Sequence, residues 1–181
     1  RRRPGGSDWN RNMKLSGDTQ MLIEFHKRTE IPVAAKTESV TAEQLQKFPK
    51  KFTPPFVYVT GRKYFSIGSR EARILRDYLL KRGGLIIGDS PGESFSNSFR
   101  SMISRVLGSK ARWIDIPDDD EMYTCYYVLD RGEPPLWHHD GNRALGIKHE
   151  GRWVVFYHPG DLGDAFRRSQ IAGEQFHHGA F

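Results

Sequence analysis

One pentapeptide in the sequence has the pattern of a nucleophile elbow, the turn that presents a catalytic serine between a strand and a helix. It is Gly88-Asp89-Ser90-Pro91-Gly92, and it matches the Gly-x-Ser-x-Gly pattern literally. In such elbows the residue after the serine donates its backbone N–H to the oxyanion hole, and Pro91 has no N–H. A residue before proline also favours extended backbone over a strained turn. The sequence therefore argues against Ser90 as the nucleophile of a serine hydrolase.

Residues 1–12 are predicted to be the exit from a strand, followed by a glycine-rich turn. Candidate residues lie at the carboxyl ends of this strand and of two further predicted strands: Asp8, Trp9 and Asn10, then Gly61, then Asp89 with Ser90. Ligands of open parallel sheets bind outside the carboxyl ends of the strands. We therefore expect Asp8, Trp9, Gly61 and Asp89 to share one edge of a sheet. The alternative is that both aspartates only cap helix N-termini and that Trp9 closes the edge of the core.

Most of the seven histidines lie in the last third of the chain, and His139, Asp140 and His158 could form a site there. Adjacent histidines in an extended strand point to opposite faces, so a His-His pair supplies one ligand. The sequence contains neither His-x₃-His nor His-Glu-x-x-His, the spacings typical of zinc sites. We predict no metal and no cofactor, and we favour surface or supporting roles for these histidines.

The segment 137–142 contains Trp, His, Asp and Gly with little helix or strand signal, and it should form a loop. We expect Trp9, His139 and Asp140 to line one pocket for a small ligand or a partner side chain. The alternative is that Trp137 only packs the following hairpin onto the sheet. The full set of candidate ligand-binding residues is Asp8, Trp9, Asn10, Gly61, Asp89, Ser90, His139, Asp140, His158 and Asp161.

The composition narrows the class of protein. The chain has 181 residues, a formal net charge of +6 and one cysteine, Cys125, which excludes an internal disulfide framework. We expect Cys125 to be a buried structural residue. No apolar run approaches the roughly 18 residues of a membrane span, and there is no signal-like segment. The positive charges are scattered outside Arg1–Arg3, so the charge does not favour nucleic acid as a partner.

Apolar spacing predicts the principal helices and strands. Helices are expected over 16–29, with Met21, Leu22 and Phe25 on one buried face, over 69–82 and over 94–107. A short helix over 41–48 starts with a capping-box pattern, Thr41-x-x-Gln44, and another helix should begin at 161–168. Strands are expected at 56–60, 85–89 and 113–117, with a hairpin at 144–148 and 152–157. The aromatic stretch 122–129 could be a strand or a short helix.

Alternating helices and continuously apolar strands are typical of a parallel sheet that is covered on both faces. The sequence contains no repeat and no convincing second domain. The fold prediction is therefore one α/β domain over residues 1–181 with a mostly parallel central sheet and an added β-hairpin. We expect this domain to be truncated at both ends from a longer chain.

Four stretches in order resemble a bacterial family named domain of unknown function 4159 (DUF4159). They are the Gly-Ser-Asp-Trp-Asn stretch ending at Asn10, FVYVTG at 56–61, LRDYLLKRGGLIIGDS at 75–90 and GRWVVFYHPGDLGDAF at 151–166. The resemblance implies a three-layer, flavodoxin-type fold like that of class I glutamine amidotransferases. It also implies an exported or membrane-anchored protein on the extracytoplasmic side. Amidotransferases carry a Gly-x-Cys-x-Gly elbow where this chain has Asp89-Ser90-Pro91, which argues against glutaminase activity.

Three functions remain open from the sequence. The first is a non-catalytic module that binds a small ligand or a protein on an amidotransferase-like scaffold. The second is a hydrolase in which Asp8 and Asp89 act as an acid–base or metal-ligating pair, assisted by His139 or His158. The third is polyanion binding, which depends on the net charge alone. The absence of an intact nucleophile elbow favours the first.

Overall fold

A computed structural model describes residues 17–34, 37–89, 92–125, 128–129, 143–160 and Leu162. Five α-helices are described, and they are α1 (Gly17–Thr29), α2 (Ala42–Lys47), α3 (Ser69–Leu80), α4 (Glu93–Leu107) and α5 (Glu121–Thr124). The described strands are β1 (Phe56–Thr60), β2 (Leu85–Asp89), β3 (Ile114–Asp115), β4 (Leu145–His149) and β5 (Arg152–His158). Short 3₁₀ turns occupy Lys50–Phe52 and Gly108–Lys110.

The strands form a single five-stranded sheet in the order β1-β2-β5-β4-β3. β1, β2 and β5 run parallel to one another, while β4 is antiparallel to both β5 and β3. The prediction of a mixed α/β fold with a mostly parallel sheet is confirmed. The second strand of the hairpin lies in the middle of this sheet, between β2 and β4, and this position is not evident from the sequence.

One face of the sheet packs against α3 and α4 and forms the main core. Phe99 of α4 is fully buried there, and its ring stacks on Tyr157 of β5 at a centroid distance of 5.3 Å. A Cβ at Gly88 of β2 would lie 2.3 Å from the Phe99 ring. Only glycine lets the ring approach the strand this closely, so Gly88 and Phe99 together set the spacing between α4 and the sheet.

The end of α3 is held by backbone and side-chain bonds. The helix ends at Leu80 rather than at the expected residue 82, and Gly83 follows with a φ of +75°, as a helix-terminating glycine requires. The hydroxyl of Tyr78 donates to the carbonyl of Pro54 at 2.9 Å, which ties α3 to the entrance of β1. Burial raises the pKa of Tyr78 to about 12. The neutral phenol is therefore the form that the folded protein holds.

For α1 and α2, the two helices that precede the sheet, the structure confirms one sequence prediction and contradicts another. The Thr41 hydroxyl accepts from the backbone of Gln44 at 3.2 Å, and the Gln44 side chain accepts from the backbone of Thr41 at 2.8 Å. The predicted capping box is thus confirmed. In α1 the expected buried face is wrong at Phe25, which is 38% exposed, while Met21 and Leu22 are only half-buried.

The predicted hairpin is confirmed, with a turn at Glu150 and Gly151, both of which have positive φ angles of 51° and 79°. Beside it, α5 covers a second, smaller cluster of buried residues, which consists of Ile116, Tyr123 and Ala144 with Trp153 and Phe156 against it. The expected strand at 113–117 is shortened to Ile114–Asp115. The expectation of a buried Cys125 is wrong, because this residue is exposed immediately after α5.

Asp120, the N-cap residue of α5, accepts three hydrogen bonds, two of which connect the helix to the hairpin. One carboxylate oxygen accepts from the Trp153 indole at 2.8 Å and from the Met122 backbone at 3.0 Å, and the other accepts from Lys148 at 3.0 Å. Burial by itself raises the pKa of Asp120, but these three donors lower it by more, so the pKa lies below its ordinary value. The ionised form of Asp120 is therefore the one that stabilises the fold.

We expect Asp120→Asn to lower the free energy of unfolding by about 1 kcal/mol at pH 7, because it weakens the bonds to Lys148 and Trp153. A lowered pKa contributes stability above the unfolded-state pKa near about 4 and loses it as the pH falls towards the folded-state pKa. The difference between wild type and variant, measured by urea denaturation, should therefore shrink below that pH. Asp119→Asn is the matched control, since Asp119 is exposed. A difference that persists unchanged at the lowest pH would contradict the prediction.

Several expectations fall outside the described residues. The strand exit expected at 1–12 is among them, as is the helix expected over 161–168, of which only Leu162 is described. Within the part of the chain that the structure describes, no helix is both long and apolar enough to span a membrane.

Candidate functional site

Three parallel strands end side by side at the carboxyl edge of the sheet. Thr60 of β1 is the register partner of Asp89 of β2, and Asp89 is the register partner of His158 of β5. Gly61 follows Thr60 directly and is buried. We use the name carboxyl edge for these four residues. The structure thus places three sequence-selected candidates, Gly61, Asp89 and His158, next to one another.

The carboxylate of Asp89 is completely buried, with 0% of the residue exposed. One oxygen accepts from the Tyr58 hydroxyl at 2.5 Å, and the other accepts from the backbone N–H of Leu162 at 2.8 Å. Asp89 therefore joins β1, β2 and the chain that follows β5.

Asp89 is not the N-cap residue of α4, the helix that follows it. The N-cap residue of α4 is Gly92, which has no side chain to cap the helix. The backbone N–H that Asp89 binds belongs to Leu162, which lies 73 residues further along the chain. Asp89 thus makes a long-range connection to the chain that follows β5.

His158 is 2% exposed and belongs to the same edge. Its Nδ1 atom lies 2.9 Å from the backbone N–H of Gly160, which donates to it. An imidazole nitrogen that accepts a hydrogen bond carries no proton, so the proton of the neutral ring is on Nε2. The ring also lies against Phe156, at a centroid distance of 6.3 Å. His158 therefore holds the turn after β5, in the same way that Asp89 holds Leu162.

On the opposite face of the sheet, Tyr157 brings a phenol close to the start of α4. Burial raises the pKa of Tyr157, while a hydrogen bond with Ser96 and the charge of Arg100 lower it and the charge of Asp89 raises it again. The Arg100 guanidinium lies 5.7 Å from the centre of the Tyr157 ring. The net pKa is above its ordinary value, so the hydroxyl stays protonated and acts as a hydrogen-bonding group.

The loop after β1 closes the edge on the side of α4. The backbone N–H of Phe65 donates to the Ser98 hydroxyl at 3.2 Å, and the Phe65 ring packs on Phe95 at a centroid distance of 5.3 Å. Arg62 and Lys63, between this contact and Gly61, are exposed. The loop therefore places two exposed basic residues directly after the buried Gly61 of the carboxyl edge.

The structure also contains site residues that sequence reasoning misses. The sequence identifies Tyr58 and Tyr157 only as strand residues, although both hydroxyls belong to hydrogen-bonding networks. A signal for Tyr58 is present, because alternation along β1 puts Tyr58 and Thr60 on one face as two polar side chains of an otherwise apolar strand. No sequence signal of this kind is present for Tyr157, because its hydroxyl is brought to Ser96 of α4 only by the tertiary fold.

The remaining candidates lie outside the described residues: Asp8, Trp9, Asn10, Ser90, His139, Asp140 and Asp161. The pocket expected between Trp9, His139 and Asp140 therefore stays a prediction. Among the residues that are described, no group of three His, Cys, Asp or Glu side chains is arranged to hold a metal ion.

The chemistry of the carboxyl edge is that of fixed hydrogen-bond acceptors. Both oxygens of Asp89 and the Nδ1 atom of His158 accept hydrogen bonds from the protein itself. These bonds fix Tyr58 and residues 160 and 162 at the ends of the strands. The arrangement can position a binding surface.

Comparison with known proteins assigns the chain to a family. No curated protein matched the chain in a sequence comparison. The model of the family described as Domain of unknown function (DUF4159) matches residues 2–179, nearly the whole chain, and the protein belongs to that family.

Proposed function

We propose that the chain is a non-catalytic binding module that holds a small polar ligand or a polar side chain of a partner at the carboxyl edge. The observation that carries the proposal is the state of Asp89. This carboxylate precedes the serine of the elbow-like pentapeptide, yet it is completely buried and accepts hydrogen bonds from Tyr58 and Leu162. A carboxylate that is held in this way fixes the positions of the chain segments that form the carboxyl edge.

The hydrolase alternative would use Asp89 and His158, which are register neighbours. A general base must have a lone pair that reaches the proton to be removed. Here the Nδ1 lone pair of His158 is bound to Gly160. Asp89, whose oxygens accept from Tyr58 and Leu162, is completely buried, so no substrate proton reaches it from solvent. Pro91 in turn removes the N–H that an oxyanion hole would need after Ser90. Both features favour binding over hydrolysis.

The scaffold that we propose is the three-layer, flavodoxin-type fold of class I glutamine amidotransferases. The support is the set of three parallel strands with α3 and α4 packed on one face and the candidate site at the carboxyl ends. The likeness of four sequence stretches to exported and membrane-anchored bacterial proteins supports a further proposal, that the domain acts on the extracytoplasmic side.

A thermal-shift experiment with a library of metabolites, amino acids and short peptides tests the binding proposal. We expect at least one compound to raise the Tm of the wild type and to raise it less in Thr60→Val, which removes a hydroxyl at the edge. Thr53→Val is the matched control, because Thr53 is also half-buried but lies before β1, at the other end of that strand. The compound should stabilise this control as well as it stabilises the wild type.

Covalent probes test the absence of catalysis. A fluorophosphonate and an iodoacetamide probe, used at stoichiometric concentration, should leave Ser90 unlabelled and should show no enhanced reaction at Cys125. Stoichiometric labelling of Ser90 would instead assign the pentapeptide to a serine hydrolase. If no compound of the library changes the Tm, the binding proposal is contradicted.

A further inference from the structure

A short segment before β1 combines positive charge with an exposed aromatic ring. We call the residues from Lys47 to Phe52 the basic turn. Its three lysines, Lys47, Lys50 and Lys51, are exposed, and Phe52 is 63% exposed. Among the described ion pairs, none involves any of these lysines. Their charges are therefore available to an external partner.

The guanidinium of Arg82, two residues after the end of α3, binds backbone carbonyls around the start of the basic turn. Arg82 donates to the carbonyls of Leu45 at 3.1 Å and Gln46 at 3.2 Å, and also to the carbonyl of Phe48. These carbonyls lie at and after the C-terminal end of α2, where no further helical N–H can satisfy them. Leu45 in turn is 2% exposed and belongs to the main core. The backbone of the turn is thus attached to the core while its lysines and Phe52 project outwards.

The position of the turn is opposite to the carboxyl edge. Residues 53–55 connect it to the start of β1, where the carbonyl of Pro55 accepts from the backbone of Leu85 at 3.0 Å. Leu85 is the first residue of β2, so the turn lies at the amino ends of β1 and β2. A partner bound at the turn would leave Thr60 and Asp89 accessible from the other end of the strands.

We propose that the basic turn docks this protein on an anionic lipid surface, with Phe52 entering the interface and the three lysines at the level of the phosphates. Aromatic side chains beside lysines are typical of segments that lie in a membrane interface. The Lys51 ammonium lies 4.9 Å from the centre of the Phe52 ring, so charge and ring reach the surface together.

The residue types favour a lipid surface over a nucleic acid. Lysine is a hydrated point charge, whereas recognition of individual phosphates and bases favours the planar, bidentate guanidinium of arginine. The nearest described arginine, Arg82, uses its guanidinium for backbone carbonyls inside the protein. A lipid surface presents a diffuse layer of negative charge over an apolar interior. The three lysines, which belong to no described ion pair, fit that charge, and the exposed ring of Phe52 fits the apolar interior.

Co-sedimentation with vesicles of phosphatidylcholine, with and without phosphatidylglycerol, tests the proposal at low salt. We expect binding only when phosphatidylglycerol is present. A lysine near such a surface contributes about fivefold in affinity, so K47Q/K50Q/K51Q should weaken binding about 100-fold. F52S should weaken it about tenfold, because it removes most of the apolar surface that enters the interface.

The matched control is R70Q/R73Q/R76Q. These three arginines are exposed on α3, and their replacement removes the same number of positive charges without touching the basic turn. We expect this variant to bind within about threefold of the wild type, since α3 presents no exposed aromatic residue there. Equal losses in the two triple variants would show attraction to net charge alone and would overturn the proposal.

Two further results would also overturn it. One is the absence of binding to phosphatidylglycerol vesicles at low salt. The other is that the protein binds single-stranded oligothymidylate but no vesicles, and that K47Q/K50Q/K51Q and F52S lose this binding. That result would assign the turn to a nucleic acid. The test is independent of the carboxyl edge, because vesicle binding should be unchanged in Thr60→Val.

Discussion

Asp89→Ala is expected to lower the free energy of unfolding by about 3 kcal/mol, because it leaves two donors without their acceptor. The Tyr58 hydroxyl and the Leu162 N–H both donate to this buried carboxylate. Urea denaturation measures the loss as a lower midpoint. Hydrogen exchange adds a local readout, since the amide of Leu162 should exchange faster in the variant than in the wild type.

Two comparisons separate this effect from a general loss of charge. Asp115→Ala removes an exposed aspartate from β3 and should change the free energy of unfolding by less than about 0.5 kcal/mol. Tyr58→Phe removes one of the described donors to Asp89 and should cost about 1.5 kcal/mol, with a smaller added cost when it is combined with Asp89→Ala. Additive losses in the double variant would contradict a direct bond between the two side chains.

Phe99→Ala is expected to lower the free energy of unfolding by about 4 kcal/mol, more than the loss expected for Asp89→Ala. Phe99 is completely buried, stacks on Tyr157 and occupies the space that Gly88 leaves open above β2. Its removal leaves a cavity between α4 and the centre of the sheet. Thermal and urea unfolding, followed by circular dichroism, measure the loss.

The matched control for Phe99 is Phe52→Ala, which removes the same side chain from an exposed position. We expect this control to change the free energy of unfolding by less than about 0.5 kcal/mol. A loss at Phe99 as small as the loss at Phe52 would show that the contact between α4 and the sheet does not stabilise the protein.

The two proposed surfaces lie at opposite ends of the same strands. The carboxyl edge contains Thr60, Asp89 and His158, and the basic turn precedes the amino end of β1. A domain docked through the turn would therefore direct its carboxyl edge away from the surface. The arrangement allows both surfaces to act at once, and the vesicle and thermal-shift experiments test them separately.

Part of the candidate site was predictable from the sequence. Asp89 is the last residue of the predicted strand LIIGD, and Gly61 follows FVYVT, so the carboxyl-end rule selects both. His158 could be selected only as a histidine at the end of a predicted hairpin. Its position beside Asp89 depends on the pairing of β2 with β5, two strands that lie about 70 residues apart in the chain.

The sequence by itself determined the features that neighbouring residues control. The helices α3 and α4, the capping box of Thr41 and Gln44, the stop at Gly83 and the hairpin turn each depend on side-chain spacing or on hydrogen bonds within a few residues. Only the tertiary structure decided the strand order, the fit of Phe99 over Gly88, the exposure of Cys125 and the bonds that Asp89 makes to Tyr58 and Leu162. These features depend on which distant segments bury one another's apolar surface, and no local pattern of residues encodes that choice.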